Sequence, residues 1–443
     1  MSYLPEHSAG STSARVGAGS CGNRFTDAPL GNRRSARETP RPAFLPATAH
    51  GQASTQALQQ RRYANGSTAD IEGRAPHAIA PSIALQRAAL RTLAASGLPK
   101  LLARRYSGVG AILAFHRIRH VDYKYAFGSQ RASVAPDTFT RIILALRERN
   151  YDFVGMDEAV QRLKTPQSDR RKFVCLTFDD GYDDTCAVAF RICRMFQVPM
   201  VVYPLTGFLT RAIRTWSHTI PMWWLGLEQA VASNEEIEVP WDGATERIPT
   251  RTSAQKRRAY FVVARRLADA SPQACYECCS RLAETSGVDF IGMMIQQSLT
   301  PAMIAEMKAS GLVEFGAHSV NHPNLRQLPL AEARREIADS KDALEDLLGK
   351  NVHHFAYPYG AAHAAGPREF DLCRKLGFAS AVTTRMATVV PADREHLHSL
   401  PRLTINGEFQ NTPLLKLLLS GTLPKARETL QFCRRMAKGA IRR

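Results

Sequence analysis

The chain has 443 residues, of which 44% are hydrophobic, so it is long enough to bury a large core and to carry additional segments. Its formal net charge is +18, which favours anionic partners such as acidic glycans, nucleic acids or anionic lipids. No run of about 18 uncharged apolar residues is present, which argues against a membrane-spanning helix. The start of the sequence also lacks the apolar core of a secretory signal.

The two ends of the chain differ in composition from its middle. Residues 1–80 are rich in Ser, Ala, Gly, Arg and Pro and have no periodicity, which predicts a disordered basic tail. Residues 81–107 predict an amphipathic helical lead-in. Its basic segment, residues 83–105, either packs against the domain or makes a peripheral membrane contact. Residues 406–443 predict a basic C-terminal tail.

Between residues 108 and 405 short apolar runs alternate with segments of helical periodicity. The predicted strands are Gly110–His116, Phe153–Met156, Phe173–Phe178, Pro199–Pro204, Leu312–Ala317, Val352–Tyr357 and Phe378–Thr383. The predicted helices are Pro136–Asn150, Asp157–Leu163, Asp184–Phe196, Thr300–Gly311, Leu330–Leu348 and Pro367–Leu376. This alternation indicates an α/β fold with a parallel sheet, and the number of repeats favours a closed or nearly closed barrel.

The tract from about residue 206 to residue 298 breaks this alternation. It contains Trp216, Trp223, Trp224 and Trp241, followed by charged runs of helical character. We interpret it as a helical insertion that covers the barrel and shapes substrate choice.

The chain contains 9 cysteines, which are scattered rather than paired in a framework. This distribution favours free thiols in a reducing compartment. The predicted location is therefore the cytoplasm, at or near the inner surface of the membrane if residues 83–105 bind it.

Two adjacent carboxylates, Asp179 and Asp180, follow the most apolar predicted strand, Phe173–Phe178. The carboxyl ends of parallel strands are where α/β folds hold their chemistry. The pair is interpreted either as a polar strand end that caps the next helix or as two groups with distinct roles at one site.

Two histidines, His318 and His322, follow the predicted strand Leu312–Ala317 at a spacing of four residues. One helical turn, or a tight loop of the same length, would direct both imidazoles to one side. Two imidazoles and a carboxylate form a set that binds a divalent metal and leaves positions open for water and substrate.

Two further strand ends carry reactive or aromatic residues. His116 ends the first predicted strand, so in a barrel it would share the mouth with the aspartates and the other histidines. Tyr357, Pro358 and Tyr359 follow another strand, where their rings could form the wall of a sugar-binding groove. A backbone N–H beyond Pro358 is placed to stabilise an oxyanion.

The motifs Thr177–Gly181 (TFDDG), His318–Pro323 (HSVNHP) and Tyr357–Gly360 (YPYG), in this order, resemble the polysaccharide deacetylase family. This is the NodB-homology group, carbohydrate esterase family 4, and the resemblance covers about residues 108–405 apart from the insertion. It implies a distorted (β/α) barrel with fewer than eight complete units. It also implies a metal-dependent hydrolase of linear amides that removes acetyl groups, usually from N-acetylglucosamine in a polysaccharide.

The resemblance assigns roles to individual residues. Asp179 matches the general base, and Asp180, His318 and His322 match the three metal ligands. Tyr359 matches the position whose backbone N–H helps to hold the oxyanion. The implied cofactor is a divalent metal, most often zinc, with cobalt or nickel as alternatives.

Two features depart from the family pattern. The position that often carries an arginine to steady the base is Ala356 here, so Arg402 is the candidate for that contact. The late histidine that often serves as the acid has no clear match. His116 is therefore predicted to be the general acid, and His398 is the alternative.

Three alternatives to this function differ in what they require of the sequence. An O-acetyl polysaccharide esterase would use the same site and depend less on an acid. A non-catalytic glycan-binding protein that keeps the barrel would be expected to lack the base or a ligand, and neither is missing. A nucleic-acid-binding protein would be expected to carry a basic and aromatic recognition motif, and no such motif is present.

Overall fold

The computed structural model describes residues 92, 96–121, 127–165, 171–210, 222–241, 243–407 and 412–422. Several sequence predictions lie outside these residues: the tail over residues 1–80, most of the 83–105 segment before residue 96, Trp216, and the C-terminal tail beyond residue 422. The described part of the lead-in forms a helix, α1, over Leu98–Tyr106.

Twelve strands are described, and most are short. In chain order they are β1 (Gly110–Phe115), β2 (Arg117–Ile118), β3 (Ser133–Val134), β4 (Asp152–Phe153), β5 (Phe173–Asp180), β6 (Met200–Pro204), β7 (Glu236–Trp241), β8 (Ala244–Pro249), β9 (Val313–Phe315), β10 (His354–Ala356), β11 (Ser380–Val382) and β12 (Leu403–Thr404). The main sheet has the order β12–β1–β5–β6–β9, with β4 also paired to β5, and all its pairs are parallel.

This sheet closes into a barrel through two isolated parallel bridges. Ala317, just after β9, pairs with Phe355 of β10, and β10 pairs with β11. Val382 of β11 then pairs with Leu400, three residues before β12 begins. The ring β12–β1–β5–β6–β9–β10–β11 therefore contains seven parallel strands. The predicted distorted (β/α) barrel is confirmed.

The described helices outside the insertion pack around this ring. After α1 they are α2 (Phe127–Ala132), α3 (Pro136–Arg147), α4 (Met156–Lys164), α5 (Arg191–Met195), α6 (Thr206–Leu209), α7 (Trp223–Ser233), α8 (Ser253–Asp269), α9 (Pro272–Ser286), α10 (Phe290–Gln296), α11 (Pro301–Ala309), α12 (Leu330–Leu348), α13 (Pro367–Lys375) and α14 (Thr412–Leu419). A π-helical turn over Thr185–Phe190 leads into α5. No helix of the described residues is both long and apolar enough to cross a membrane.

The apolar strands of the barrel are buried on both faces. Every residue of β1 and β5 is buried, as continuous apolar runs in a parallel sheet predict. Ile112, Cys175 and Val201 belong to the cluster inside the ring, whereas their strand neighbours pack outward against the helices. Because side chains alternate along a strand, Thr177 and Asp179 point to the same interior as Cys175.

The insertion forms a second apolar cluster of its own, built from α7 to α10 and the strands β7 and β8. It is largely helical, as predicted, but it also contains an antiparallel hairpin that was not predicted. The alternation of buried Ile237 and Val239 with glutamates explains this hairpin. Gly243, with a φ of 80°, provides the turn.

Both ends of the insertion are anchored to the end of β5. At its start, the N–H of Leu205 donates to the carbonyl of Asp180 at 3.3 Å. At its end, the N–H of Leu299 donates to the carbonyl of Gly181 at 2.8 Å, and Ser298 bridges to Tyr182. The insertion therefore begins and ends at the strand that carries the two aspartates.

The remaining differences from the sequence prediction concern short elements. β12 was not predicted, because two residues give too short a run to recognise. β4 spans Asp152–Phe153 rather than the predicted Phe153–Met156, since Met156 begins α4. The predicted helix Asp184–Phe196 begins as the π-helical turn.

Candidate metal centre and catalytic site

The upper cluster consists of Asp180, His318 and His322, at the carboxyl ends of the barrel strands. One potential ligand atom from each residue lies within 4.8 Å of those of the other two. Asp180 Oδ1 is 3.3 Å from His318 Nε2 and 3.6 Å from His322 Nε2. The structure thus brings together the three residues that the sequence motifs assign to a metal.

The backbone is bent sharply to make this cluster. Asp180, Ser319 and His322 all have positive φ angles, between 55° and 69°. Such conformations are unfavourable for non-glycine residues and concentrate at functional sites. The Ser319 hydroxyl accepts the His322 N–H at 2.9 Å, which holds the loop that presents the second histidine. The two histidines therefore share one side through a tight loop rather than a helical turn.

A half-buried carboxylate, Glu336 of α12, fixes the middle of the same loop. It accepts the N–H groups of Val320 and Asn321 at 3.0 Å and the Asn321 side-chain amide at 2.8 Å. Three hydrogen bonds to one carboxylate hold the loop between the two histidines in place. Nothing in the sequence pattern around Glu336 had indicated this function.

The hydrogen bonds of the upper cluster leave its ligand atoms free. His318 Nδ1 lies 2.7 Å from the carbonyl oxygen of Ala356, so Nδ1 carries the proton and Nε2 faces Asp180 with its lone pair. Asp180 Oδ1 is buried and has no hydrogen-bond partner among the described residues. An orphaned buried carboxylate oxygen between two imidazole nitrogens fits a divalent cation.

The pKa shifts within the upper cluster differ between its two histidines. Burial tends to lower the pKa of His318, but the interactions with Asp180 and Asp179 outweigh burial and raise it. Burial lowers the pKa of His322 to about 4, so its imidazole is neutral at neutral pH. Burial raises the pKa of Asp180, but the interactions with His318 and His322 outweigh burial and hold the pKa well below its usual range. A neutral imidazole and an ionised carboxylate are the forms that bind a metal.

Asp179 is held by a fully buried arginine, Arg402. Arg402 Nη1 lies 2.7 Å from Asp179 Oδ1 and Nη2 lies 2.6 Å from Oδ2, which is a bidentate ion pair. Arg402 Nε also donates to the carbonyl of Thr383 at 3.0 Å, and Nη1 donates to Thr177 Oγ1 at 3.1 Å. Burial tends to raise the pKa of Asp179, but the charge of Arg402 outweighs burial and lowers it. Asp179 is therefore a carboxylate at neutral pH.

Of the two acid candidates, only His116 lies at the upper cluster. It follows β1 and is half-buried. Burial has the largest influence on the pKa values of Asp179, Asp180 and His322, and His116 is among the neighbouring groups that also influence them. His398 bonds through Nε2 to the carbonyl of Phe378, which precedes β11 and so lies at the opposite end of the barrel.

In the aromatic turn after β10, Tyr357 makes a structural contact and Tyr359 lies at the upper cluster. Tyr357 is buried, and its hydroxyl donates to the carbonyl of His398 at 2.9 Å. Tyr359 is 39% exposed, and its ring centroid lies 4.6 Å from that of His322. Its φ of 59° turns the chain after Pro358, and its N–H has no acceptor within the described part of the chain.

A charged network beside His116 was missed by sequence reasoning. Arg117 is buried, with Nε at 2.7 Å from Asp184 Oδ2 and Nη1 at 2.6 Å from Gln297 Oε1. Its guanidinium carbon lies 4.4 Å from the centroid of the Tyr182 ring. The network thus joins the residue after His116 to the end of the insertion. No spacing in the sequence links these positions.

A second group, the lower cluster, lies at the other end of the barrel and consists of Asp157, Glu314 and His354. His354 is bonded on both ring nitrogens, to Ser380 Oγ at 2.9 Å and to Asp157 Oδ1 at 3.0 Å. Glu314 accepts the first N–H groups of α4. These groups already satisfy one another, so the lower cluster is explained as a structural network.

Comparison with known proteins supports the interpretation of the motifs. Residues 253–378 match the family model described as polysaccharide deacetylase. The matched stretch contains His318, His322 and the turn Tyr357–Gly360. It does not contain Asp179 and Asp180, but the fold places Asp180 beside the two histidines. The resemblance predicted from the motifs is confirmed for this stretch. A comparison with curated proteins gave no match to the chain.

Several solved structures are similar in fold. The deacetylase PplD from Streptococcus pyogenes, in complex with acetate, is 21% identical, with a TM-score of 0.46 over 70% of this chain and 97% of that one. IcaB from Ammonifex degensii is 19% identical, with a TM-score of 0.45 over 71% and 98%. The BpsB deacetylase domain from Bordetella bronchiseptica is 17% identical, with a TM-score of 0.39 over 67% and 95%.

Proposed function

We propose that this chain, which carries a polysaccharide deacetylase domain, is a metal-dependent hydrolase that removes N-acetyl groups from a glycan containing N-acetylglucosamine. One observation carries the proposal. The upper cluster keeps three ligand atoms free for a cation, directly beside a carboxylate, Asp179, that Arg402 fixes and keeps ionised. A set of one carboxylate and two histidines leaves open positions for water and substrate.

The metal ligands in this proposal are Asp180, His318 and His322. A divalent ion held by these residues would polarise the acetyl carbonyl and would lower the pKa of nearby water, to roughly 7 for zinc in favourable sites. Zinc is the proposed ion because it accepts mixed nitrogen and oxygen ligands, and cobalt or nickel would fit the same donors. The hydrogen bond from His318 to Ala356 fixes the orientation of one ligand before the ion binds.

Asp179 acts as the general base. Its carboxylate receives the proton of the attacking water, and the new bond forms between the water oxygen and the acetyl carbon. The bidentate contact with Arg402 holds the carboxylate in one orientation, so no rearrangement is needed when the proton moves. In this proposal, the N–H of Tyr359 donates to the oxygen of the acetyl group as negative charge develops there.

His116 acts as the general acid. The bond between the acetyl carbon and the amide nitrogen breaks only if that nitrogen receives a proton, because an amide anion is a very poor leaving group. Histidine can deliver a proton near neutral pH. Support comes from its place beside Asp179 and Asp180, whereas His398 lies at the other end of the barrel.

An acetate-release assay tests the proposal. The purified protein is loaded with zinc, cobalt or nickel and incubated with N-acetylglucosamine oligomers and with O-acetylated xylan. We expect acetate from the oligomers and none from metal-free protein or from the Asp180→Asn variant. If the loaded protein releases acetate only from xylan, and loses little when His116 is replaced, the protein is an O-acetyl esterase. If it releases none while metal is bound, the deacetylase proposal is wrong.

We also propose that the protein acts in the cytoplasm. The cysteines at positions 175, 186, 193, 275, 278, 279 and 373 are all buried and free. Free buried thiols are typical of reducing compartments. Fractionation of cells that express the tagged protein would test the location. Recovery only from an extracellular or periplasmic fraction would contradict it, and recovery with the membrane fraction would support the proposed peripheral contact through residues 83–105.

A further inference from the structure

The proposed acid, His116, is held in place through its neighbours in the chain. It lies between β1, which ends at Phe115, and β2, which begins at Arg117. Phe115 is fixed in the barrel by its pairing with Phe178 of β5. Within the part of the chain that the structure describes, the His116 side chain makes no hydrogen bond of its own. The position of the imidazole therefore depends on what fixes the backbone on either side of it.

The backbone after His116 is fixed by one carboxylate, that of Asp184. Arg117 is 1% exposed, and its Nε donates to Asp184 Oδ2 at 2.7 Å. The other oxygen of this carboxylate, Oδ1, accepts the N–H of Ile118 at 2.9 Å. Asp184 thus holds both the side chain of one β2 residue and the peptide group of the next. Because Asp184 lies four residues after Asp180, the acid is tied to the same short segment that carries a metal ligand.

The last residues of the insertion complete this arrangement. Gln297 Oε1 accepts a hydrogen bond from Arg117 Nη1 at 2.6 Å, and the Gln297 carbonyl accepts the N–H of Asp183 at 3.0 Å. Arg117 Nη2 lies 3.4 Å from Asp183 Oδ1, so all three guanidinium nitrogens have partners. The guanidinium carbon also lies 4.4 Å from the centroid of the Tyr182 ring. Arg117 is therefore held from several directions at once.

Stability alone does not explain why this ion pair is buried. The cost of removing two charges from water often exceeds what their attraction returns, so apolar side chains of similar volume are commonly as stabilising. Hydrogen bonds to charged groups are directional, however, and they fix geometry as well as contributing energy. In this protein, the geometry that is fixed is that of the residue next to the proposed acid.

We propose that Arg117, Asp184 and Gln297 are positioning residues that hold His116 beside the upper cluster, so that its imidazole can protonate the leaving nitrogen. Their role rests on the proposed deacetylase function, since it requires His116 to be the acid. The imidazolium gives its proton to the amide nitrogen as the bond to the acetyl carbon breaks and its electron pair stays on nitrogen. Misplacement by about 1 Å can cost 100-fold in rate. The end of the insertion thereby supports catalysis.

A double-variant experiment tests this role. Zinc-loaded protein is assayed on an N-acetylglucosamine tetramer. Arg117→Met should lower kcat by about 10- to 100-fold, and Arg117→Lys, which keeps a charge beside Asp184, should lose less. In a His116→Ala background, Arg117→Met should cause no further loss beyond about twofold, because residues that act as a unit are not additive. A network that only supports the fold would lower both backgrounds by the same factor.

A second substrate separates the acid from the rest of the site. The leaving group of 4-nitrophenyl acetate departs as an anion and needs no acid. Arg117→Met should therefore leave kcat for this ester within about twofold of the wild type while the tetramer is slowed. Gln297→Leu removes one partner of Arg117 but keeps the pair with Asp184, and it should slow the tetramer by about 3- to 10-fold. If Arg117→Met does not fold, Gln297→Leu decides by the same measurements.

Arg162→Met is the matched control at the other end of the barrel. Arg162 of α4 pairs with Asp152 at 2.9 Å and with Glu158 at 2.5 Å, and Asp152 lies opposite the first residue of β5. This variant should leave the rates on both substrates unchanged. Zinc affinity and the melting temperature of each variant, measured in parallel, show whether the metal centre and the fold persist.

The outcomes distinguish the positioning role from the proposed function. If zinc-loaded wild-type protein releases no acetate from the tetramer, the deacetylase function fails and the positioning role fails with it. If the wild type is active and His116→Ala is equally active, His116 is not the acid and these residues do not position one. If His116→Ala is impaired but the effects of Arg117→Met and His116→Ala multiply, or if Arg117→Met slows both substrates equally, only the positioning role is wrong.

Discussion

The two ends of the barrel hold clusters of similar composition that differ in what their polar atoms do. Each combines imidazole and carboxylate groups with ligand atoms within 4.8 Å of one another. In the lower cluster, both ring nitrogens of His354 are bonded to protein groups, and Glu314 caps α4. In the upper cluster, within the part of the chain that the structure describes, His318 has a hydrogen-bond partner at Nδ1 alone and Asp180 Oδ1 has none. Composition and proximity alone therefore do not define a metal site. A metal site requires ligand atoms whose lone pairs are not already used in hydrogen bonds to the protein.

The largest effect is expected from replacing a ligand of the upper cluster, and the matched change in the lower cluster should have none on metal binding. Asp180→Asn keeps the shape of the side chain but removes its charge, and we expect metal affinity to fall by more than about 100-fold, because loss of an outer-shell partner alone costs 10- to 100-fold. Deacetylation should fall on the order of 1000-fold or more. Glu314→Gln is the matched change in the lower cluster and should leave metal content unchanged. Titration calorimetry with zinc measures both, and metal loss in Glu314→Gln would contradict the comparison.

Replacement of the proposed acid tests which end of the barrel carries the chemistry. His116→Ala should lower kcat by about 10²- to 10⁴-fold, the range for loss of a general acid, with metal content intact. His398→Ala removes a histidine bonded at the lower end and should retain most of the activity. Steady-state kinetics on an N-acetylglucosamine tetramer measure both variants. The opposite result, with His398→Ala inactive and His116→Ala active, would show that the assignment is wrong.

Loss of the ion pair between Arg402 and Asp179 should have a smaller effect on the rate, and it should also shift the pH–rate profile. Arg402→Met removes the charge that, against the effect of burial, lowers the pKa of Asp179. Burial then dominates, so the pKa of Asp179 should rise and the acid limb of the pH–rate profile should move to higher pH. At neutral pH the rate should fall about 100-fold, since the base is partly protonated and no longer held.

Thr177→Val serves as the control for Arg402→Met. It removes one hydrogen-bond partner of Arg402 but leaves the bidentate contact with Asp179. The acid limb should stay in place in this variant. An unshifted acid limb in Arg402→Met, with metal bound, would mean that Asp179 is not the titrating base.

The smallest effect on catalysis is expected in the lower cluster. His354→Leu leaves the buried Ser380 hydroxyl without its imidazole partner, so the free energy of unfolding should fall by about 1–3 kcal/mol. Activity and metal content of the folded protein should stay within about twofold of the wild type. The double variant His354→Leu with Ser380→Ala should recover part of the stability, because the orphaned hydroxyl is also gone. Urea unfolding measures this, and a specific loss of metal would show that the lower cluster binds one.

The barrel and the motifs were predictable because their signals are local. The fully buried β5 is a continuous apolar run, and the spacing of His318 and His322 is fixed by one short loop. Arg402 could be named as the partner of Asp179 only as a candidate, because more than 200 residues separate them. Its bidentate contact depends on β12, which is too short to recognise in the sequence.

Contacts between distant segments could not be predicted. The lower cluster joins Asp157, Glu314 and His354, which no sequence spacing relates. The hairpin of β7 and β8 was predicted as helical because its glutamates and arginine suggested exposed charged helices, whereas the buried Ile237 and Val239 follow the two-residue period of a strand.

The anchoring of the insertion at Asp180 and Gly181 has a consequence for how such proteins diversify. The two residues that flank it, Leu205 and Leu299, bond to the consecutive carbonyls of Asp180 and Gly181. For the barrel, the whole segment therefore takes the place of a short loop. The entropy of closing such a loop grows only slowly with its length, so segments of very different size could be exchanged there at little cost to the barrel. A grafted replacement would alter the walls of the groove while Asp179, the metal ligands and Arg402 stay in place. The junction is therefore a natural point for recombination and for the design of deacetylases with new glycan preferences.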